Sequence, residues 1–186
     1  LDLGCGSGRD AVFCAMRGFR VKAVDNWKGA LQRAQVLADR YKDSFCSEDA
    51  VGFFEMDLKG ATVKELQDQI GCNRVHLLVI SRFLPRSLLF GDDFWNLIEV
   101  GGWLVFSHFM IGCLAFGRPS QPEDMLEESE VERLCRMKGL ECKLLEYTTL
   151  HDGRPIVNLA LQRVSEVVEP PEEAPEPVTQ EANDAA

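Results

Sequence analysis

The chain has 186 residues, of which 46% are apolar, and its formal net charge is −10. This length and apolar content are enough for one globular domain with a sizeable core. No run of about 18 uncharged apolar residues occurs, and no charged segment precedes a short apolar one, so neither a membrane-spanning helix nor a secretory signal is predicted.

The negative charge is concentrated at the C-terminal end. Residues 165–186 contain seven acidic residues and no basic one, whereas the rest of the chain holds 23 acidic and 20 basic residues. The segment is also rich in proline and has no aromatic residue, a composition typical of disordered chains. We predict one folded domain over residues 1–164 and a disordered acidic tail over residues 165–186. The nearly neutral domain shows no general nucleic-acid footprint.

The cysteine pattern indicates free thiols. The chain has seven cysteines, an odd number, and none of them forms a CxxC pair. A disulfide framework or a zinc site would show paired spacing. We therefore predict reduced and mostly buried thiols, no metal site and a cytoplasmic location.

Short apolar runs alternate with segments of helical periodicity. The predicted strands are, in chain order, Leu1–Leu3, Phe19–Val24, Val51–Met56, Val75–Ile80 and Trp103–Phe109. The predicted helices are Arg9–Arg17, Lys28–Lys42, Thr62–Ile70, Ser87–Glu99 and Glu127–Lys138. The alternation predicts an α/β fold with a doubly wound, mostly parallel sheet. Residues 140–150 and 155–164 flank an Asp-Gly turn, so an antiparallel hairpin is expected to end the sheet.

The segment DLGCGSG lies between the first strand and the first helix. A glycine turn that leads into a helix is suited to bind an anion or a nucleotide, because its backbone N–H groups are free. The P-loop pattern GxxxxGK[ST] is absent. A dinucleotide fingerprint needs its third glycine at position 9, where this chain has Arg9.

This acid-x-G-x-G-x-G pattern, taken together with four segments farther along the chain, resembles motif I of class I S-adenosylmethionine (SAM)-dependent methyltransferases. The segments VKAVDNW, EMDL, LLVISRFL and GGWLVFSHF fit strands two to five of that family, and the final hairpin fits its strands six and seven. More narrowly, LGCGSGRDAVFCAMRGFRVKAVD, SRFLPRSLL and FGRPSQPEDML are similar to the tellurite-resistance-type and rhodanese-associated branch. The resemblance covers residues 1–164 and implies a Rossmann-like seven-stranded fold, SAM as cofactor and methyl transfer as activity.

The resemblance also implies which residues contact the cofactor. Asp25 would bond both ribose hydroxyls, and Asp2 would either approach the cationic end through water or cap the turn. Trp27, beside the adenine, is expected to pack on the ligand or on the core, and Asp57 to contact the adenine edge or to start a helix. The implied cofactor-binding residues are Asp2, Gly4, Cys5, Gly6, Gly8, Asp25, Asn26, Trp27, Asp57, Leu58 and Ser81.

The methyl acceptor is not identified by the sequence. The [DNS]PP[YFW] motif of family members that act on exocyclic amines or glutamine amides is replaced by SRFLP, and the Pro-Cys nucleophile of cytosine-C5 enzymes is absent. His108 is the candidate base, and Arg82 and Arg118 are candidate clamps for an anionic acceptor. Each has a structural alternative: His108 ends a strand with its ring hydrogen-bonded, and Arg82, like Arg118, braces a loop. The segment FGRPSQP is either a lid or an irregular crossover.

We therefore expect in-line methyl transfer to a small molecule or to an RNA or protein side group. A catalytically silent methyltransferase-like scaffold is the alternative, and an NAD-dependent oxidoreductase is disfavoured by Arg9 and the terminal hairpin. Related enzymes have a helix and half a strand before the glycine turn. We thus expect an N-terminally truncated part of a larger protein, with an upstream rhodanese-like domain as one option.

Overall fold

The computed structural model describes residues 1–171 and contains one seven-stranded sheet. The strands are β1 (Asp2–Leu3), β2 (Val21–Asp25), β3 (Val51–Glu55), β4 (Val75–Ser81), β5 (Ile98–Phe109), β6 (Leu140–Thr149) and β7 (Pro155–Arg163). The α-helices are α1 (Arg9–Met16), α2 (Lys28–Tyr41), α3 (Val63–Ile70), α4 (Arg86–Leu89) and α5 (Glu128–Arg136). Short 3₁₀ segments cover Lys42–Ser44, Phe94–Leu97, Ile111–Phe116 and Pro122–Asp124.

The strand order is β3-β2-β1-β4-β5-β7-β6. Strands β1 to β5 pair in parallel with one another, and β7 runs antiparallel between β5 and β6. This arrangement confirms the predicted α/β class and the C-terminal hairpin. Because Leu3 pairs with both Val24 and Ile80, the segments that come after β1, β2 and β4 emerge side by side at one edge of the sheet.

Helices cover both faces of the sheet, and their small or apolar residues face it. Ala11 and Ala15 of α1 pack on Val21 and Ala23 of β2. The opposite face carries the larger core, which includes residues of α3, α4 and α5; it contains Leu3, Leu66, Ile70, Leu78, Ile80, Leu88, Leu89, Leu104, Phe106, Val131, Leu134 and Leu159. No helix in the described part of the chain is long and apolar enough to cross a membrane.

The prediction of one helix over Ser87–Glu99 is wrong. The segment forms the short helix α4, a break at Gly91, a 3₁₀ turn over Phe94–Leu97 and the first residues of β5. A Cβ at Gly91 would lie 3.0 Å from the carbonyl oxygen of Ser87, so the chain turns there in a way that suits glycine. Apolar spacing alone did not separate a long helix from these shorter elements.

The residues after β7 lie against the body of the protein. Arg163 is 1% exposed, and its guanidinium donates hydrogen bonds to the carbonyls of Trp95 and Ile98 at 2.8 and 2.6 Å. It also binds the carbonyls of Ser165 and Glu166. Lys138 and Glu169 exchange two backbone hydrogen bonds. Residues 165–171 of the predicted tail are therefore attached, and residues 172–186 lie outside the described residues.

All seven cysteines are free thiols. Only Cys113 is buried, whereas Cys46 and Cys142 are exposed and the other four are half-buried. The expectation that most of the thiols are buried is therefore wrong.

Candidate functional site

The three glycines between β1 and α1 have positive φ angles and lie in different environments. The φ angle is 70° at Gly4, 53° at Gly6 and 77° at Gly8, in a region that other residues rarely adopt. A Cβ at Gly4 would lie 2.4 Å from the ring of Phe83, and one at Gly8 would lie 2.7 Å from the Cβ of Ala34. A Cβ at Gly6 would meet nothing within 4 Å among the described residues. Gly4 and Gly8 permit close packing, whereas Gly6 borders open space where a ligand can lie.

The carboxylate of Asp25 joins this turn to the end of β2. Its Oδ2 accepts a hydrogen bond from the backbone N–H of Gly6, and its Oδ1 accepts one from the N–H of Trp27, both at 2.8 Å. The N–H groups of Gly4 and Cys5 both donate to the carbonyl of the residue before Asp25, at 2.9 and 3.0 Å. A carboxylate has about four lone-pair sites, so Asp25 keeps capacity for further hydrogen bonds.

Asn26 and Trp27 lie on the surface where α2 begins. Trp27 is 61% exposed, and the guanidinium of Arg33 lies 4.4 Å from its ring centroid. A Cβ at Gly29 would lie 3.1 Å from the indole nitrogen, so the ring lies over the first turn of α2. Trp27 is thus not part of the core, and it offers an aromatic surface beside Asp25.

Asp57 and Leu58 come directly after β3 and have separate environments. Asp57 is exposed, and its Oδ1 accepts a hydrogen bond from the backbone N–H of Lys59 at 2.9 Å. It does not start a helix, because α3 begins later, with Thr62 as its cap. The side chain of Leu58 is buried in the core. Leu58 can therefore contact a ligand only through its backbone.

Asp2 is a buried acid beneath the start of α1. It is 3% exposed, and its Oδ2 has no hydrogen-bond partner among the described residues. Burial, assisted by the nearby charge of Asp10, raises the pKa of the Asp2 carboxyl to about 7. The backbone N–H of Ala11 opposes this increase only in part. Asp2 can therefore change its charge near neutral pH.

The residues after β4 approach the glycine turn. Ser81 pairs with Ser107 of β5. Arg82 is exposed, its N–H donates to the Ser107 carbonyl at 2.7 Å, and its φ of 54° is the only positive value at a non-glycine position within residues 1–171. Such strained backbone is concentrated at functional sites. The next residue, Phe83, contacts Gly4, so this segment lies directly on the turn.

A polar row across β5, β7 and β6 was not predicted from the sequence. Ser107 Oγ donates to Asn158 Oδ1 at 2.8 Å, and Asn158 Nδ2 donates to Glu146 Oε2 at 2.9 Å. The alternation of side chains along a strand can predict which face each of these residues lies on. It cannot predict that the three residues lie side by side, because that depends on the register of the hairpin.

His108 is buried near the end of β5. Its Nε2 lies 2.9 Å from the carbonyl oxygen of Asp124, which can only accept a hydrogen bond, so Nε2 carries the proton. Nδ1 is enclosed and has no partner among the described residues. Burial, together with the charge of Arg86, lowers the pKa of the imidazole and keeps it neutral. The expected strand-ending histidine with a hydrogen-bonded ring is observed; a role as base stays a prediction.

Arg86 holds the segment that covers His108. Its guanidinium donates to the carbonyls of Met125 and Glu123 at 2.7 and 3.4 Å and forms an ion pair with Glu130 of α5. Its Nε is buried without a partner among the described residues. Neither Arg86 nor Glu130 was singled out from the sequence, since their contacts join positions 44 residues apart.

The loop after β5 is fixed at its base. Leu126 donates from its N–H to the carbonyl of Phe109 at 2.9 Å, and its own carbonyl accepts from Ile111 at 3.0 Å. Arg118 is exposed in the middle of this loop, and its carbonyl accepts a hydrogen bond from Arg154 at 3.3 Å. Hydrogen bonds therefore hold the loop both at its base and at Arg118, and a role of FGRPSQP as a lid stays a prediction.

A cavity of about 620 Å³ lies at the end of the sheet where the parallel strands begin, opposite to the glycine turn. Its lining includes Asp2, Val21, Lys22, His76 and Leu77. It exists because β1 has only two residues, so β2 and β4 have no strand between their first residues. Within residues 1–171, no group of three or more His, Cys, Asp or Glu side chains is arranged to hold a metal ion.

Comparison with known proteins shows a family match for the first half of the chain. Residues 1–92 match the family model of the tellurite resistance protein TehB. A curated relative, the uncharacterized protein UNK4.09 of Schizosaccharomyces pombe, is 26% identical in an alignment 193 positions long, gaps included, that covers 88% of this chain and 56% of the relative. The chain therefore spans a little over half the length of that relative.

The fold matches solved methyltransferase structures. TehB from Haemophilus influenzae has a TM-score of 0.62 at 15% identity, over 87% of this chain and 57% of TehB. Magnesium protoporphyrin IX methyltransferase from Synechocystis, solved with bound SAH, also has a TM-score of 0.62 at 15% identity, over 87% of this chain and 72% of the other. A SAM-dependent methyltransferase from Methanosarcina mazei has a TM-score of 0.62 at 16% identity, over 89% and 92%.

Proposed function

We propose that this chain is a class I SAM-dependent methyltransferase that binds SAM at its glycine turn and transfers the methyl group to an acceptor. Its fold and its match to the TehB family model over residues 1–92 support the proposal. The observation that carries the proposal is the pairing of Asp25 with the N–H of Gly6. It brings together a turn that borders open space and a carboxylate with unused acceptor capacity at the carboxyl edge of the sheet.

The residues at this edge fit the parts of SAM. Asp25 would accept hydrogen bonds from the ribose hydroxyls, Trp27 would offer a ring face for the adenine, and the backbone of residues 57–58 would contact the adenine edge. Asp2 is buried, so its partnerless Oδ2 would approach the cationic end only through water. When bound, SAM supplies a methyl group that is already activated by its sulfonium.

On the acceptor side, this chain's own task is alignment. Positioning an acceptor in line with the methyl group contributes most of the acceleration in such a reaction. Arg82 and Phe83 would form one wall, because Phe83 lies on the glycine turn and Arg82 directly precedes it. His108 is neutral and has a lone pair on Nδ1, but that atom is enclosed, so a base role requires the residues around it to move.

The fold does not determine the acceptor. The similar structures include TehB and a magnesium protoporphyrin IX methyltransferase, and a shared fold does not fix the substrate. The experiment therefore includes small molecules, RNA and proteins as candidate methyl acceptors.

Methyl-labelled SAM, incubated with the protein and with small-molecule, RNA and protein fractions of a cell extract, tests the proposal. We expect the wild type to label one fraction and Asp25→Ala to label none. Asp39→Ala, which changes an exposed acid on α2, is the control and should label the same fraction as the wild type. A protein that binds SAM and labels no fraction would instead be the catalytically silent scaffold.

A further inference from the structure

Two cysteines form a close thiol pair away from the glycine turn. The Sγ atoms of Cys135 and Cys142 lie 3.4 Å apart. Cys135 is half-buried near the end of α5, and Cys142 is exposed near the start of β6. Neither residue takes part in the proposed cofactor or acceptor contacts.

The surroundings of the pair allow the two sulfur atoms to come within bonding distance. A disulfide has its sulfurs about 2.05 Å apart, so the two atoms must move closer by about 1.4 Å. β6 is an edge strand, and its pairing with β7 shifts register between Cys142 and Leu144. Cys142 can therefore move without disturbing a second strand ladder.

We propose that Cys135 and Cys142 are a redox modification site that forms an intramolecular disulfide on exposure to a peroxide. In the first step the Cys142 sulfur attacks a peroxide oxygen, the O–O bond breaks, and a sulfenic acid and one water form. In the second step the Cys135 sulfur attacks the Cys142 sulfur, the S–O bond breaks, and the leaving hydroxide takes the Cys135 proton as a second water. The two thiols lose two electrons and the peroxide gains them.

The environments set the order of the two steps. Cys142 is exposed and meets the oxidant first. Burial and the contact with Cys142 raise the pKa of the Cys135 thiol to about 12, so Cys135 stays protonated until its neighbour is oxidised. Cys135 is thus the resolving thiol.

The disulfide would tie the end of α5 to the edge strand. It closes a ring from residue 135 to residue 142, and the connecting residues already make a tight turn in which Leu140 donates to the Met137 carbonyl at 3.3 Å. Restricting the unfolded chain in this way raises thermal stability, and a thiol reductant reverses the change.

The test uses the reduced full chain, hydrogen peroxide, alkylation of the remaining thiols and tryptic mass spectrometry. Trypsin cuts after Arg133, Arg136, Lys138 and Lys143, so the two cysteines fall on separate peptides, residues 134–136 and 139–143. We expect these peptides to be linked, with the loss of two hydrogen atoms, the loss of two alkylation sites and an upward shift of Tm that a reductant abolishes.

Variants separate the pair from general thiol oxidation. In Cys135→Ser, the sulfenic acid at Cys142 should persist and be trapped by dimedone. In Cys142→Ser, the thiol of Cys135 should stay reduced after peroxide treatment and still be alkylated. Cys46→Ser, which removes the other exposed cysteine, should leave the linkage unchanged. Alkylation of Cys135 and Cys142 that persists after Cys46 is oxidised, or linkage of Cys142 to a different cysteine, would overturn the proposal.

Discussion

The ring of Phe83 lies against Gly4, close enough that a Cβ at Gly4 would be 2.4 Å from it. The segment after β4 is therefore packed directly on the turn after β1. This contact joins the proposed acceptor side of the site to its cofactor side. It also distinguishes the roles of two glycines that look equivalent in the sequence.

Gly4→Ala and Gly6→Ala should have different effects. Both place a Cβ at positive φ, which costs about 1–2 kcal/mol. Gly4→Ala adds a clash with Phe83, so chemical denaturation should show the larger loss of stability for this variant. Gly6→Ala projects into open space, so it should keep most of its stability and lose SAM affinity in titration. Equal destabilisation with unchanged SAM affinity would contradict the assignment of Gly6.

The stability of the protein should decline with pH through the titration of Asp2. Its folded-state pKa is raised from 3.8 to about 7, so the folded protein binds the proton more tightly than the unfolded chain does. This contribution is fully present below the unfolded pKa and is lost as the pH rises through about 7. Asp2→Asn should remove that decline from a series of Tm measurements, whereas the exposed-site variant Asp57→Asn should retain it. A decline of the same size in Asp2→Asn would show that another group causes it.

Arg163 should be essential for stability, although no function is assigned to it. Arg163→Met would leave the carbonyls of Trp95, Ile98 and Ser165 without their donor in a buried region. We expect a loss of about 2–5 kcal/mol in urea denaturation, as for other broken buried polar networks. Arg17→Met, at an exposed position over the ring of Phe13, serves as the control and should change stability little. A nearly neutral Arg163→Met would mean that the network contributes no net stability.

The charge of Arg86 should be visible in the titration of His108. Burial is the first cause of the lowered imidazole pKa and the Arg86 charge adds to it, so Arg86→Gln should raise that pKa. NMR titration of the ring protons measures the shift, with Arg133→Gln on α5 as the charge-matched control. An unchanged or lower pKa in Arg86→Gln would show that the guanidinium does not act on the ring.

Much of the fold was predictable because its signals are local. The glycine turn, the apolar strand runs and the Asp-Gly turn of the hairpin each lie within a few residues, and the sheet contains strands at all of the predicted places. The failed helix over Ser87–Glu99 has a local cause too, since apolar residues at helical spacing also fit a short helix and a subsequent 3₁₀ turn.

The site was only partly predictable, because several contacts join distant residues. The proximity of Asp25 to Gly6 results from the order of parallel strands. The contact of Phe83 with Gly4 joins the segments that follow β4 and β1. Outside the site, the burial of Arg163 likewise depends on carbonyls 65 and 68 residues away. Such contacts leave no spacing signal in a single sequence.

The most direct test of the central claim is calorimetric titration of SAM, its demethylated product and NAD into the wild type, Asp25→Ala and the control Asp39→Ala. We predict that the wild type and the control bind SAM and its product but not NAD. Asp25→Ala should weaken SAM binding by about 1.5–3 kcal/mol, or roughly tenfold to 150-fold. A folded wild type that binds no SAM, or an Asp25→Ala variant with unchanged affinity, would contradict the proposed cofactor site.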